Sequence, residues 1–224
     1  MHSLSAASVR SKSPGLIVVG FLGGFVGRDN PIHLEVQLAK RLNQDAGSGF
    51  LVRMFENRRG ADAYREIVHL LDINEDGKLS AEEKKDGRIA IFGHSWGASE
   101  TVTLARTLAR VGIPVLLTVQ VDSVRKPGED DTVIPANVAQ AVNFYQREGF
   151  LRGEDEIRAA DSARTQILGN FECEYKTKPV ALDGFSWFAR TFMKPHLEIE
   201  SDPTVWSRVE SMIRSKLPSD APPR

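Results

Sequence analysis

The stretch RIAIFGHSWGAS, residues 88–99, decides how the chain is read. Ile89, Ala90, Ile91 and Phe92 form an apolar run with the length and residue types of a buried strand. It breaks into Gly93-His94-Ser95-Trp96-Gly97. ASETVTLARTLARVG then carries a helical pattern that stops at Gly112, ahead of Pro114. A plain turn needs one glycine and no particular serine. Two glycines around Ser95 permit a turn tight enough to project its side chain off the carboxyl end of the strand.

The flanking sequence repeats the strand-then-helix rhythm. GLIVVGFLGGF reads as a buried strand entering a glycine loop. NPIHLEVQLAKRLNQDAG reads as a helix, with Asn30 as N-cap and Pro31 in the first turn. FLVRMFE is a strand and ADAYREIVHLL a helix. PVLLTVQVDSV is a strand whose nearly continuous apolar run predicts burial on both faces. NVAQAVNFYQREG reads as a helix, RTQILGNFE as a strand, and DPTVWSRVESMIRSKL as a closing helix capped by Asp202 with Pro203 at its first position. Strands alternating with helices predict an α/β fold: a mostly parallel, doubly wound sheet flanked by helices, with ligands at the carboxyl ends of the strands.

The whole sequence has 224 residues, 41% hydrophobic and 26% charged, which suits one α/β domain, expected over residues 13–217. Its 29 basic and 30 acidic residues leave a net charge of −1, no field for holding nucleic acid. Cys173 is the only cysteine, which excludes an internal disulfide and a cysteine-rich metal site. No apolar run approaches the roughly 20 residues needed to span a bilayer. Residues 1–12 are small, polar and basic, without the apolar middle of a signal peptide, and are expected to form a flexible lead-in. Export would require a signal on a longer precursor. Residues 218–224 read as a disordered tail. Oligomeric state and compartment have no signature here.

Gly93-His94-Ser95-Trp96-Gly97 fits G-x-S-x-G in the required strand–turn–helix context, so Ser95 is the candidate nucleophile. A serine hydroxyl needs a base. Of the five histidines, His2 lies in the lead-in and His94 is the serine's own neighbour. His33 and His69 belong to helices, where surface or packing roles are expected. His196, expected in a loop within MKPHLEIE after the last strand, is the candidate base. Activity is therefore expected at neutral to alkaline pH, where imidazole is unprotonated. Asp122 ends the run PVLLTVQV beside the nucleophile's strand and is the candidate acid, with Asp183 and Asp161 as reserves. An oxyanion would be held by the backbone N–H of Trp96 and by one from the GFLGGF loop, at Phe21 or Leu22.

These motifs resemble the α/β-hydrolase superfamily, as a compact lipase- or esterase-like member. QVDSV is similar to the stretch carrying the acid in pancreatic-type lipases, a likeness that favours Asp122 over Asp183. Most members of the superfamily place the acid one strand later. The two antiparallel strands that precede the oxyanion strand in a typical member are missing. The resemblance implies cleavage of a small-molecule carboxylic ester through an acyl-enzyme. Thioester hydrolysis or acyl transfer uses the same three residues.

A second motif is DINEDGKLSAEE, residues 72–83. Asp72, Asn74, Asp76 and Glu83 fall at the ligand positions of an EF-hand calcium loop, Lys78 at the backbone-carbonyl position and Gly77 at the sharp turn. The exit helix is curtailed by Gly87 and the next strand. Because the loop enters the nucleophile's strand from its amino end, Ca2+ there is expected to be structural. A calcium-binding module without catalysis on a hydrolase scaffold is the rival reading. Phe21, Phe25, Trp96, Phe144, Tyr145, Trp187, Phe188 and Phe192 are candidate lining for an acyl or aryl group.

Overall fold

Along the first strand, β1 (Leu16–Leu22), Leu16 and Val18 join one buried cluster while Ile17, Val19 and Phe21 join another. Successive side chains of a strand point to opposite faces, so an unbroken apolar run requires cover on both. The computed structural model describes residues 15–24, 26–27, 30–45 and 49–218. The expected lead-in, the tail beyond Pro218 and Phe25 lie outside the described residues.

β1 pairs in parallel with β2 (Phe50–Glu56) on one side and β3 (Ile89–His94) on the other. The sheet continues through β4 (Val115–Val121), β6 (Val138–Tyr145) and β8 (Gln166–Glu172), giving the order β2-β1-β3-β4-β6-β8 with every pairing parallel. One face is covered by α1 (Leu34–Gln44), by Ile199 of α6 (Lys194–Glu200), and by α7 (Pro203–Arg214). The other is covered by α2 (Gly60–Leu71) and α4 (Trp96–Arg110). Reversal of the winding at β1 and β3 opens a crevice above their carboxyl ends. Ser95 follows β3 directly.

Residues 138–145 correct the sequence reading: they form a strand, not a helix. Val138, Ala141, Val142 and Tyr145 repeat at helical spacing, but Val, Phe and Tyr favour strands, and β6 sits in the sheet between β4 and β8. Neither crossover around it contains a helix. Short strands β5 (Val133–Ile134) and β7 (Arg158–Ala159) pair there, and Ile134 and Ile157 pack against Val138 and Ala141.

Helix α1 begins later than predicted. Its N-cap is His33, and Asn30 instead accepts a hydrogen bond from the Ile32 N–H at 3.2 Å. The remaining helices are short: α3 (Ala81–Lys85), closed by a capping box between Ser80 and Glu83, and α5 (Trp187–Phe192). His196 is not in a loop as expected; it lies in α6, whose first turn contains Pro195. α7 inserts Trp206 edge-on against Phe92, ring centroids 6.1 Å apart, and its indole N–H donates to the Glu200 carbonyl at 2.7 Å. This bond pins the end of α6. No helix among the described residues is long and apolar enough to cross a membrane.

Candidate active site

Ser95 occupies the turn between β3 and α4 with φ 57° and ψ −126°. A residue with a Cβ rarely adopts this conformation, and the neighbours must hold it there. The Ser95 N–H donates to the Val121 carbonyl at 3.0 Å, and the Ser95 carbonyl accepts from the Ala98 N–H at 3.0 Å. Both flanking glycines are required by close approach. A Cβ on Gly97 would lie 2.3 Å from the Phe21 carbonyl oxygen, and one on Gly93 would lie 2.5 Å from the Gly97 carbonyl carbon.

Asp122 follows β4 with φ 45° and is fully buried. Its Oδ1 accepts from the Gly153 N–H at 2.8 Å. Its Oδ2 accepts from Gln146 Nε2 at 2.9 Å and lies 2.6 Å from His196 Nδ1. A carboxylate only accepts, so this contact places the imidazole proton on Nδ1 and leaves Nε2 to act as an acceptor. Asp161 instead accepts from the Ala163 N–H at 2.9 Å, and Asp183 is exposed; neither makes this contact with His196.

Ser95 and His196 line one cavity of about 210 Å³, together with Gly23, Gly24 and Val26, the apolar Phe185, Met193 and Leu197, and the buried His33, His94 and Glu200. No direct hydrogen bond joins the two side chains. The His94 ring lies against that of His196, centroids 4.5 Å apart and planes at 33°. Burial pushes the His94 pKa down to about 4, so this neighbour is uncharged at neutral pH.

The remaining expected residues fall as follows. Phe21 and Leu22 are buried within β1, and the loop that reaches Ser95 is Gly23–Gly24. A Cβ on Gly23 would lie 3.0 Å from Ser95 Cβ, so the backbone next to the serine is that of this loop. Trp96 opens α4 directly after Ser95, as expected. Among the aromatics, Phe21 packs on Phe55 and Phe144 stacks on Phe171, both inside the core. Tyr145 is buried at the end of β6 with Arg147 over its ring. Trp187, Phe188 and Phe192 are exposed on α5, which runs between the cavity residues Phe185 and Met193.

In the 72–83 loop, Asp72 accepts from the Asp76 and Gly77 N–H groups, Asp76 from the Lys78 N–H, and Glu83 from the Ile73 and Ser80 N–H groups. Gly77 takes φ 78°, the left-handed turn such a loop needs. The acidic side chains do not converge: among the described residues, the group of His, Cys, Asp and Glu donors lying within 4.8 Å of one another is His33, Glu35 and Glu200. The sequence reading gave His33 a surface or packing role and passed over both glutamates. The alternation of His33 and Glu35, with an acid at the start of an apolar helix face, was the available signal.

A six-stranded parallel sheet covered by helices, with a serine at a positive-φ turn between strand and helix, is the α/β-hydrolase fold in minimal form. No family model matches the sequence, and no curated protein matches it. Among solved structures, the chain is similar to RedJ, the thioesterase from the prodiginine biosynthetic pathway in Streptomyces coelicolor. In one RedJ structure the TM-score is 0.50 at 11% identity, over 97% of this chain and 96% of that one. It also matches human thioesterase 2, with TM-score 0.48 and 10% identity over 89% and 95% of the two chains. A cutinase-like protein from Cryptococcus sp. gives TM-score 0.47 and 14% identity over 92% and 96%. At 11% identity the RedJ likeness shows the fold alone.

Proposed function

We propose that the chain is a serine hydrolase cleaving a carboxylic ester or thioester through an acyl-enzyme. The observation that carries this reading is the 2.6 Å contact between Asp122 and His196 at a cavity shared with Ser95. Ser95 Oγ attacks the carbonyl carbon while His196 Nε2 takes its proton, and Asp122 holds the ring in that tautomer and stabilises the imidazolium. The oxyanion is held by the Trp96 N–H and by an N–H of the Gly23–Gly24 loop, each such donor contributing roughly 3 kcal/mol to the barrier reduction. His196 then protonates the leaving alcohol or thiol, and water releases the acyl group by the same route. The apolar wall of Phe185, Met193 and Leu197 in a small cavity favours a short acyl group.

Thioesters are included because RedJ, similar in fold, is described as a thioesterase. Transfer of the acyl group to another acceptor would use the same residues. The 72–83 loop is proposed to bind Ca2+ through Asp72, Asn74, Asp76, Glu83 and the Lys78 carbonyl, as a structural staple at the amino end of β3. Ligand types, spacing and the Gly77 turn support this. Binding would have to draw the acidic side chains together.

The decisive experiment is labelling with a fluorophosphonate probe. Wild type is expected to label, Ser95→Ala and His196→Ala to fail, Asp122→Asn to label weakly, and Asp183→Asn to label normally. Folded wild-type protein that does not label would remove catalysis by Ser95 and leave the non-catalytic calcium-binding reading.

A further inference from the structure

We propose that His33, Glu35 and Glu200 form a binding site for a divalent transition-metal ion of the zinc class, opening onto the cavity that contains Ser95. One ligand atom from each lies within 4.8 Å of the others, and the three residues are 7%, 0% and 2% exposed. The fold assembles them from distant sequence. His33 caps α1 and Glu35 lies in its first turn. Glu200 ends α6, where Trp206 holds its carbonyl.

With both glutamates ionised, the charges do not balance without a further partner. Among the described residues, no Lys or Arg pairs with Glu35 or Glu200. Glu200 contacts His33 Nδ1, with His94 Nδ1 at 3.8 Å from its other oxygen. Both oxygens of Glu35 are buried and have no hydrogen-bond partner. A carboxylate left so in an apolar interior is strongly unfavourable, and either a proton or a cation must compensate it. A shared proton would appear as a hydrogen bond between the two carboxyls, and none is present. A protonated Glu35 would still leave a buried O–H without an acceptor. A divalent cation satisfies both carboxylates and, by displacing the proton that His33 Nδ1 donates to Glu200, takes the lone pair so exposed.

The donor set selects the ion. One imidazole with two carboxylates suits zinc and its neighbours, whereas calcium takes six to eight oxygens. Zinc bonds of roughly 2 Å place tetrahedral donors about 3.3 Å apart, so the His33–Glu200 contact would open and Glu35 would draw in, a side-chain adjustment of about 1 Å. His33 and Glu200 line the cavity beside Ser95 and His196, so a fourth coordination position would face its interior. The site does not depend on Ser95 being a nucleophile.

The test is titration of the full chain, stripped with a chelator, with Zn2+ alone against a chromophoric competitor. Co2+ absorption in the visible serves as a second readout. Wild type is expected to bind one equivalent outside the 72–83 loop, and Glu35→Gln or His33→Gln to weaken it at least about tenfold. His33→Gln should also shift the Co2+ spectrum, while Asp72→Asn with Glu83→Gln leaves zinc affinity intact. The proposal is overturned if folded wild-type protein takes up no Zn2+, if Glu35→Gln retains full affinity, or if the loop variant abolishes uptake. Because the readout is metal bound and not turnover, it fails independently of the fluorophosphonate experiment.

Discussion

Asp122 Oδ2 and His196 Nδ1 lie 2.6 Å apart although 74 positions separate the residues in the chain. The Asp122 carboxylate also accepts from the Gly153 N–H and from Gln146, so it is fixed before any substrate arrives. Asp122→Asn would turn an amide N–H toward donors and favour the wrong imidazole tautomer. Acylation measured with an activated ester should fall by roughly 10⁴-fold, as for triad aspartate replacement in serine proteases. A drop of less than tenfold in folded protein would remove Asp122 from the mechanism.

The positive φ at Ser95 predicts a trade between stability and activity. Ser95→Ala keeps a Cβ in the strained turn, whereas Ser95→Gly removes it. Both should be inactive, and the glycine variant should be more stable than the alanine variant by about 1 kcal/mol in urea unfolding. Equal stability would mean that the turn carries no such strain.

Gly97 tests the close approach of α4 to β1. An added methyl 2.3 Å from the Phe21 carbonyl cannot be accommodated without moving the helix. Gly97→Ala should cost about 2 kcal/mol or more and displace Ser95, lowering probe labelling as well as the denaturation midpoint. Unchanged values in both measurements would contradict the packing described.

Cys173 supplies a pH dependence. Burial pushes its thiol up to about 11, from an ordinary value of 9.0. Between these values the unfolded chain releases its proton and the folded one keeps it. This contribution to stability is present below about pH 9 and declines as pH rises toward 11. Folded protein at pH 8 should react with iodoacetamide far more slowly than denatured protein. Cys173→Ala should flatten the alkaline loss of stability. Rapid labelling of the native state would refute the burial argument.

Calcium at the 72–83 loop would stabilise the folded chain by linkage, about 2.7 kcal/mol at a concentration 100 times the Kd. Millimolar Ca2+ should therefore raise the Tm, chelation should reverse this, and Glu83→Gln should abolish the response. A Tm indifferent to Ca2+ would reduce the motif to an acidic turn.

Sequence alone determined the strand–turn–helix around Ser95, because buried strands, helix caps and tight glycine turns are set by residues close together in the chain. It also singled out His196 and Asp122 as a pair to look for, since chain order restricts which histidine and which acid can reach the serine. Only the tertiary structure decided residues 138–145, whose apolar spacing fits a helix or a strand until β4 and β8 pair on either side. It likewise decided which part of GFLGGF is strand and which is loop, putting Phe21 and Leu22 at the end of β1 and Gly23–Gly24 beside Ser95, because the end of β1 depends on its pairing with β2 and β3. The His33–Glu35 alternation hinted at two of the three, but their gathering with Glu200 was not legible for the same reason. Their proximity comes from packing α1 and α6 on one face of the sheet, and no local pattern encodes a contact across 167 positions.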